Sequence, residues 1–560
     1  MNHTRMALGL ALVSAAGLSP LTARAQSSDQ ELIRATVERT VEQASHPYLR
    51  WPNFPYYQDE LESFYRPIDY GLAWFEDGGL GHSARVVIDQ LMAAGEHGLH
   101  PEDYDAIRLD SLALALESDP DPPPDLLALI DVAITVGFFR HISDLHIGRV
   151  NPTNLNMGFN IEPKKYDLPA LVRVAVAEGR IEDLIDEVKP RFLEYELLEQ
   201  ALARYHRLAA EPSLQPVPVV DVLEEGDSYA GLPQLRRLLI ATGDLDASSE
   251  DPGGSTRYEG DIVDAVKRFQ ARHGRTVDGI VGPATFESLN VPFQHRVEQI
   301  ELAMERTRWL PDLSETRFIA VNVPAFRLWA LDPAQETGMP AANMRVVVGK
   351  SLNKQTPVFM EDMRWLEFRP YWNVPYSITA RELLPQIRKD PAYLDQEDYE
   401  IVPRFGNDVQ ALPATEANIE KLGAGQLKLR QRPGPNNSLG LVKFIFPNNS
   451  AVYLHSTPAT QLFERTRRDF SHGCIRVEDP VGLAEWVMRD EPGGWSRDRI
   501  IAAMNGGQPT RVVLENPFPV VIFYTTVLAG ANGTVSFYDD IYGHDEALKV
   551  ALAAGYPYPP

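Results

Sequence analysis

The chain has 560 residues, 44% of them apolar, and a formal net charge of −25 at pH 7. This acidic balance argues against a nucleic-acid partner and against an anionic membrane surface, because both would repel the chain. The length and the apolar content predict several hydrophobic cores, and therefore three or four domains.

The first 25 residues have the pattern of an export signal. His3 and Arg5 precede an apolar run over residues 6–18, and residues 23–25, Ala-Arg-Ala, fit the small-x-small rule of a signal peptidase site. We expect residues 1–25 to be a signal peptide. No later stretch is a long uncharged apolar run, so the sequence predicts no transmembrane anchor after cleavage, although an uncleaved signal would anchor the chain.

Residues 29–210 have the spacing of helices. Apolar residues recur three and four positions apart in segments 31–44, 83–98 and 124–148, and Ser83 is a plausible N-cap. The region contains no dense cluster of polar residues. We therefore interpret residues 26–225 as a helical scaffold domain.

A proline-rich stretch at 211–221 marks a boundary, and residues 226–295 then predict a three-helix module. Two amphipathic helices are followed by Gly274 as a C-cap, an Asp-Gly turn and a third helix opened by Gly282-Pro283. The run AVKRFQARHGRTVDGIVGPATFESLN resembles the small peptidoglycan-binding domain of many cell-wall enzymes. The resemblance implies a wall-binding role, although part of the signature serves only to shape turns.

From Arg317 the apolar period changes to two, which is typical of strands. The segments RFIAVNVPAFRLWAL, RVVVGK, LVKFIFP and AVYLHS are rich in β-branched and aromatic residues. We expect a β-rich domain over 296–510, interrupted at 377–430 by an insertion that is a candidate cap. Residues 511–560 predict a C-terminal hairpin and tail. The predicted fold class is thus multidomain α+β.

The one cysteine of the chain, Cys474, follows His472-Gly473, and His455 stands 17 residues before His472 at the end of a predicted strand. A lone exported cysteine is an inert buried filler, an intermolecular bridge or a reactive thiol. A strand end and a glycine turn could bring the His455 imidazole within reach of the thiol and activate it as a nucleophile. The N–H groups of Gly473 and Cys474 could then form an oxyanion hole. A zinc site from the two histidines and the cysteine stays open, but it lacks a fourth ligand.

This pattern resembles that of the YcbB-type murein L,D-transpeptidases. The flanking segments carry the same resemblance; they are RPGPNNSLGLVKFIFPNNSAVYLHSTP, SHGCIRVEDP and YDDIYG. The resemblance is very specific from 340 to 545 and weak in the first 200 residues. It implies a periplasmic enzyme without a cofactor, in which Cys474 is the nucleophile and His455 the general base. It also implies that Ser456 orients the imidazole through its backbone carbonyl, and that His472 and Gly473 shape the thiol turn.

The same resemblance implies a donor pocket lined by Tyr453 and Arg476, with Trp372 approaching from the cap. Tyr453 could instead be a core strand residue, and Arg476 a surface ion-pair partner. The implied substrates are peptidoglycan tetrapeptide stems, as donor and as acceptor, joined in 3→3 cross-links through a thioester with release of D-Ala. Cell-wall synthases are candidate partners.

Three other functions stay open at this point. Water could replace the acceptor amine, which would give an L,D-carboxypeptidase or a hydrolase of wall peptides. The thioester could attach an outer-membrane protein to the wall, although the large scaffold and cap argue against this. The chain could also be a non-catalytic wall-binding scaffold, which the intact His455 and Cys474 disfavour.

Overall fold

A computed structural model of the chain describes residues 20–76, 79–118, 121–248, 255–333, 340–352, 354–406 and 408–555. Most of the predicted export signal, including its apolar run over 6–18, lies outside these ranges. Residues 20–25, which hold the predicted cleavage site, belong to the first helix. Cleavage of an export signal therefore stays a prediction.

The N-terminal region is helical, as the apolar spacing predicts. Its elements are α1 (Pro20–Glu42), α2 (Gln58–Tyr65), the short strands β1 (Phe75–Glu76) and β2 (Gly79–Leu80), α3 (His82–Met92), α4 (Ala106–Ser118), α5 (Pro124–Ile147), α6 (Leu168–Glu178), α7 (Ile181–Val188) and α8 (Leu193–Ala209). Every residue of α5 from Ile130 to Ile142 is buried, including the polar Asp131, Arg140 and His141, because this helix lies at the centre of the scaffold. Among the described residues, α5 also has the length and composition to cross a bilayer, but 78% of its apolar window is buried inside the protein.

Helix α3 begins two residues earlier than the sequence predicts. Gly81 is the N-cap, His82 is the first helical residue, and no side chain caps the first turn. Ser83 lies inside the helix, so the prediction that it is the N-cap is wrong. An extended glycine can serve in that position without a side-chain oxygen.

The predicted three-helix module consists of α9 (Leu232–Ala241), α10 (Asp261–Arg272) and α11 (Pro283–Leu289). Gly274 follows α10 with a φ of +60°, in the left-handed region that favours glycine at a helix end. The amide of Gln270 accepts from the N–H of Gly279 at 2.9 Å and donates to the carbonyl of Ile280 at 2.9 Å. Gln270 thus ties the helix to the predicted Asp-Gly turn, which gives that part of the signature a structural role.

Helix α12 (Phe293–Arg308) joins the module to the β-rich region but packs on the scaffold. Val297, Ile300, Ala303 and Met304 belong to the same hydrophobic core as the buried residues of α5 and α8. The scaffold core therefore extends past the predicted domain boundary at residue 296.

The β-rich domain is a sheet interrupted by a helical insertion and covered by helices. Its elements are β3 (Phe318–Asn322), β4 (Arg327–Leu331), β5 (Ala342–Gly349), β6 (Phe359–Phe368), β7 (Trp372–Asn373), α13 (Tyr376–Ile378), a π-helical turn (Thr379–Leu383), α14 (Leu384–Lys389), α15 (Tyr393–Gln396), β8 (Tyr399–Val402), α16 (Glu416–Gly423), β9 (Lys428–Gln431), β10 (Val442–Ile445), β11 (Leu454–His455), β12 (Asp469–Ser471), β13 (Ile475–Val477), α17 (Pro480–Met488), α18 (Arg497–Asn505) and β14 (Thr510–Phe523). The main sheet has the strand order β12-β5-β13-β11-β10-β6-β14-β3-β4, and β4 also pairs with β5, which closes the sheet on itself. The predicted fold class is confirmed.

The insertion has a small hydrophobic core of its own. Strands β7, β9 and β8 form a separate sheet, and residues such as Ile387, Ile401 and Leu422 are buried between it and the helices α14 and α16. We refer to residues 372–431 as the cap, which is slightly longer than the predicted insertion at 377–430.

The C-terminal segment divides between two regions of the molecule. Strand β14 lies between β6 and β3, so the main sheet extends past the predicted boundary at residue 510. The predicted hairpin is formed by β15 (Val527–Ala529) and β16 (Val535–Phe537), and α19 (His544–Ala553) follows it. Val527 and Phe537 of this hairpin are buried in the scaffold core.

Candidate active site

Two adjacent parallel strands bring the predicted site residues onto one face of the sheet. Leu454 is in register with Ile475, and His455 with Arg476. Because side chains alternate along a strand, Tyr453 and His455 of the β11 segment share a face with Cys474 and Arg476 of the β13 segment. The intervening Leu454 and Ile475 point to the hydrophobic core on the other side. We call the first face the catalytic face.

The imidazole of His455 is buried and held by a backbone carbonyl. Its Nδ1 donates to the carbonyl oxygen of Ser456 at 2.6 Å, which leaves Nε2 of the neutral ring free to accept a proton. Burial lowers the pKa of His455 to about 3, helped by the positive charges of Arg476 and Lys443 and opposed by hydrogen bonds to the carbonyls of Ser456 and Leu439. The ring is therefore neutral at physiological pH.

The side chain of Ser456 faces away from the imidazole and fixes the local chain path. Its Oγ accepts from the N–H of Leu441 at 2.6 Å and from that of Val442 at 3.3 Å. Gly440 lies against this hydroxyl at a φ of +62°, and a Cβ there would be 2.0 Å from Oγ. The hydroxyl of Ser456 is thus structural, and only its carbonyl contacts the imidazole.

The turn before the thiol is braced on both sides of Gly473, whose φ of +117° lies in the region that favours glycine. Thr356 donates through Oγ1 to the carbonyl of Gly473 at 2.8 Å. Ser471 accepts the Gly473 N–H through Oγ at 3.1 Å and donates to the Cys474 carbonyl at 2.5 Å. The prediction that the Gly473 N–H lines an oxyanion hole is wrong for this arrangement, because Ser471 already occupies that donor.

The thiol of Cys474 is half-buried and protonated at neutral pH. Burial raises its pKa, although contacts with Tyr453 and the charges of Lys443 and Arg476 oppose the rise. Sγ donates to the carbonyl of Ala451 at 3.8 Å, and within residues 408–555 it makes no hydrogen bond to the ring of His455. The pair at rest is therefore a thiol beside a neutral imidazole, not a thiolate–imidazolium pair.

A lysine that sequence reasoning missed lies on the catalytic face. Lys443 of β10 is directly opposite His455, and its Nζ is 3.8 Å from the centroid of the Tyr453 ring. Burial lowers the pKa of Lys443. The signal was present in the segment LVKFIFP, where a single charged residue interrupts an apolar strand at a position that faces the same side as His455.

His472 does not contact the thiol but points to the cap. Its Nε2 lies 2.8 Å from Oε1 of Glu382 in the π-helical turn, and Nζ of Lys354 lies 3.2 Å from the same carboxylate. Burial would raise the pKa of Glu382, but the hydrogen bonds from His472 and Lys354 outweigh it and lower that pKa. This cluster connects the thiol turn to the cap.

The remaining predicted residues differ in their surroundings. Arg476 forms no ion pair in the described part of the chain, and its buried Nε has no hydrogen-bond partner there. Trp372 belongs to the cap sheet and packs on Tyr399, with ring centroids 6.3 Å apart. Among the described residues, no group of three or more His, Cys, Asp or Glu side chains could hold a metal ion.

Comparisons with known proteins match three separate stretches of the chain. The L,D-transpeptidase catalytic domain, YkuD, matches residues 316–514, the "Putative peptidoglycan binding domain" matches 229–289, and the "Scaffold domain" matches 59–202. A protein of Haemophilus influenzae named "Putative L,D-transpeptidase" is 30% identical over 254 residues, which are 45% of this chain and 49% of that protein. The chain thus spans about half the length of this curated relative.

A solved L,D-transpeptidase structure (residues 123–326) from Xylanimonas cellulosilytica is 12% identical, with 55% of this chain and 99% of that one covered at a TM-score of 0.17. A similarity of that size carries no argument about the fold. The matched catalytic-domain family and the curated relative carry the same activity in their names. Residues 316–514 are therefore an L,D-transpeptidase catalytic domain of the YkuD family, carried in one chain with a peptidoglycan-binding domain at residues 229–289.

Proposed function

We propose that this protein is a periplasmic cysteine L,D-transpeptidase that forms 3→3 cross-links between peptidoglycan stems. The observation that carries the proposal is the convergence of Cys474, His455, Tyr453 and Arg476 on one sheet face, with the imidazole oriented by the Ser456 carbonyl. A thiol, a neutral base and a cation at one site are the groups that acyl transfer through a thioester needs.

In the first step the thiol of Cys474 turns from the Ala451 carbonyl toward His455 and loses its proton to Nε2. The sulfur then attacks the carbonyl carbon of the third residue of a donor tetrapeptide, forming a carbon–sulfur bond. The backbone N–H of Cys474 has no acceptor within residues 408–555, so it is available to the developing oxyanion. The carbon–nitrogen bond breaks, and D-Ala leaves with the proton returned by His455.

In the second step a side-chain amine of an acceptor stem attacks the thioester. His455 takes the proton of the amine, the carbon–sulfur bond breaks, and the thiol is restored. Water competes with this amine, so exclusion of water decides between transfer and hydrolysis. The cap is attached to the thiol turn through Glu382 and His472, which supports a role for it in closing the site over the thioester.

The test is incubation of the purified chain with a disaccharide-tetrapeptide, followed by mass analysis of the products. We expect a cross-linked dimer that has lost one D-Ala, and no product from the Cys474→Ala variant. A tripeptide without any dimer would instead identify an L,D-carboxypeptidase. An unchanged product pattern in the variant would contradict the cysteine mechanism.

The peptidoglycan-binding domain supports a second part of the proposal, that residues 229–289 hold the enzyme on its polymeric substrate. Deletion of 229–289 would remove residues that pack against the hairpin, so the whole chain is better tested by competition. We expect the intact protein to pellet with purified sacculi and to be released by soluble glycan fragments. Retention in the supernatant would contradict wall binding.

A further inference from the structure

Two cations, Lys443 and Arg476, lie on the catalytic face with the thiol, and neither has a carboxylate partner in the described part of the chain. Lys443 rests on the ring of Tyr453, with Nζ 3.8 Å from its centroid. Arg476 is half-buried on the adjacent strand, and its buried Nε lacks any hydrogen-bond partner. A cation removed from water without a partner destabilises the folded state, so its presence calls for an explanation.

The acidic residue nearest to them along the sheet is already engaged. Glu367 of β6 is in register with Lys443, but its Oε1 accepts from Arg511 at 2.9 Å on the other side. No ion pair within 4.0 Å joins Glu367 to Lys443 in the described ranges. Within these ranges neither cation thus forms an ion pair, and Glu367 acts on Lys443 only through a longer-range attraction that opposes the effect of burial on its pKa.

Both cations share the catalytic face with Cys474: Arg476 follows it by two residues, and Lys443 contacts the ring of Tyr453 on the neighbouring strand segment. A negative charge on Cys474 raises the pKa of Lys443 and that of Arg476, although burial lowers both overall. Any anionic group that a substrate places beside the reacting carbon would meet the same two charges. The low-dielectric surroundings strengthen that attraction.

The geometry of a peptide donor determines which of its groups would be there. In a tetrapeptide stem the carboxylate of the leaving D-Ala is three bonds from the scissile carbonyl carbon, and therefore within about 4 Å of it. A fifth residue would move the terminal carboxylate away by a further ~3.8 Å. Cations on the same sheet face as the sulfur can thus distinguish a stem that ends one residue after the scissile bond from a longer one.

We propose that Lys443 and Arg476 form a carboxylate-binding subsite for the C-terminal residue of the donor stem, and that Lys443 is a specificity residue of this enzyme. The inference rests on the proposed function, since it assigns a part of the same site. Lys443 supplies a point charge on a flexible stem, whereas the planar guanidinium of Arg476 supplies paired donors in a fixed direction. Together they bind one carboxylate and select for its charge and its position.

The experiment compares a disaccharide-tetrapeptide that ends in a carboxylate with the same compound as its C-terminal amide. The rate of thioester formation is measured by the mass of the intact protein, which is unambiguous because the chain has one cysteine. We expect the wild type to prefer the acid by at least about tenfold, the usual effect of a hydrogen bond to a charged group. The preference should fall toward one in Lys443→Met and be largely restored in Lys443→Arg.

The ratio of the two rates is taken within each variant, so changes in thiol reactivity or in the folded fraction cancel. Arg364→Met is the matched control, because Arg364 lies on the same sheet, in β6, but is already paired with Asp362. We expect it to keep the wild-type ratio. A thioester with an unchanged ratio in Lys443→Met would contradict the subsite alone, whereas no thioester on the wild type with either donor would contradict the proposed function and the subsite with it.

Discussion

The scaffold and the catalytic face differ in how their buried cations are paired with carboxylates. In and around the scaffold several buried arginines have a carboxylate partner: Arg149 pairs with Asp103 at 2.7 Å, and Arg306 with Asp545 at 2.5 Å. On the catalytic face Lys443 and Arg476 have none in the described part of the chain. Paired charges fix the contacts between elements, whereas unpaired charges are retained where an anion from outside completes them.

The largest effect that would test this contrast is on the free energy of unfolding, when a buried arginine that is paired with a carboxylate is replaced. Arg272 of α10 is buried, donates through Nε to Asp244 at 2.7 Å and through a second nitrogen to the Val535 carbonyl of the hairpin at 2.9 Å. Arg272→Met would leave Asp244 buried and unpaired, so we expect the free energy of unfolding to fall by about 3–5 kcal/mol. Urea denaturation measures this. A loss below about 1 kcal/mol would contradict the structural role assigned to the pair.

The largest effect on chemistry should come from the base. His455→Ala should slow acylation by a carbapenem at least about a hundredfold, the usual scale of general-base loss. Since the pKa of His455 is lowered to about 3, its neutral base form persists well below pH 7 and is lost only as the pH falls through that value. The wild-type rate should therefore show no decline attributable to this imidazole between pH 7 and about pH 5. A decline with a midpoint near pH 6.5 would contradict the burial argument.

A smaller change, of opposite sign to that at Arg272, is expected at the catalytic face. Lys443→Met replaces an unpaired cation by an apolar side chain of similar length, so the free energy of unfolding should stay the same or rise by about 1 kcal/mol. The same urea titration checks this. A marked loss of stability would mean that Lys443 has a structural partner and would remove the contrast between the two regions.

The smallest effect is expected where the cap meets the thiol turn. The His472–Glu382 contact is partly exposed, with side-chain exposures of 31% and 44%, so its loss should be worth less than about 1 kcal/mol. Glu382→Gln should loosen the cap and raise the ratio of hydrolysis to transfer about two- to threefold. Glu420→Gln, which breaks the exposed ion pair with Arg388 within the cap, is the matched control. Equal ratios of hydrolysis to transfer in both variants would contradict a role of the His472–Glu382 contact in excluding water.

Local signals in the sequence predicted the helices, the glycine turns and the two-strand frame of the site. The Gly282-Pro283 start of α11 and the buried helix α5 follow from rules that act over a few residues. The hydrogen-bond acceptor of the Gly473 N–H could not be predicted from such rules, because it depends on which way the Ser471 hydroxyl points. The direction of His472 depends likewise on a cap residue 90 positions away.

The position of Lys443 is a feature that the sequence predicts only when one long-range strand pairing is already known. Its place on the catalytic face could have been read from strand alternation, once β10 was known to pair with β11. That pairing is a long-range property of the sheet, and sequence period alone does not give it. The same limit explains why the sequence places residues 511–523 in a C-terminal segment outside the catalytic domain, although they belong to a strand inside the main sheet.

The hairpin at 527–537 affects the order in which the domains of the chain can fold. Its buried residues fill the core of a domain whose first helix begins at residue 20, so that domain lacks part of its interior until nearly the whole chain is available. Contacts over such a sequence separation form slowly, and the unfinished interior exposes apolar surface meanwhile. Protein truncated before residue 527 should therefore aggregate or be degraded through its amino-terminal half, even though every residue of that half is present.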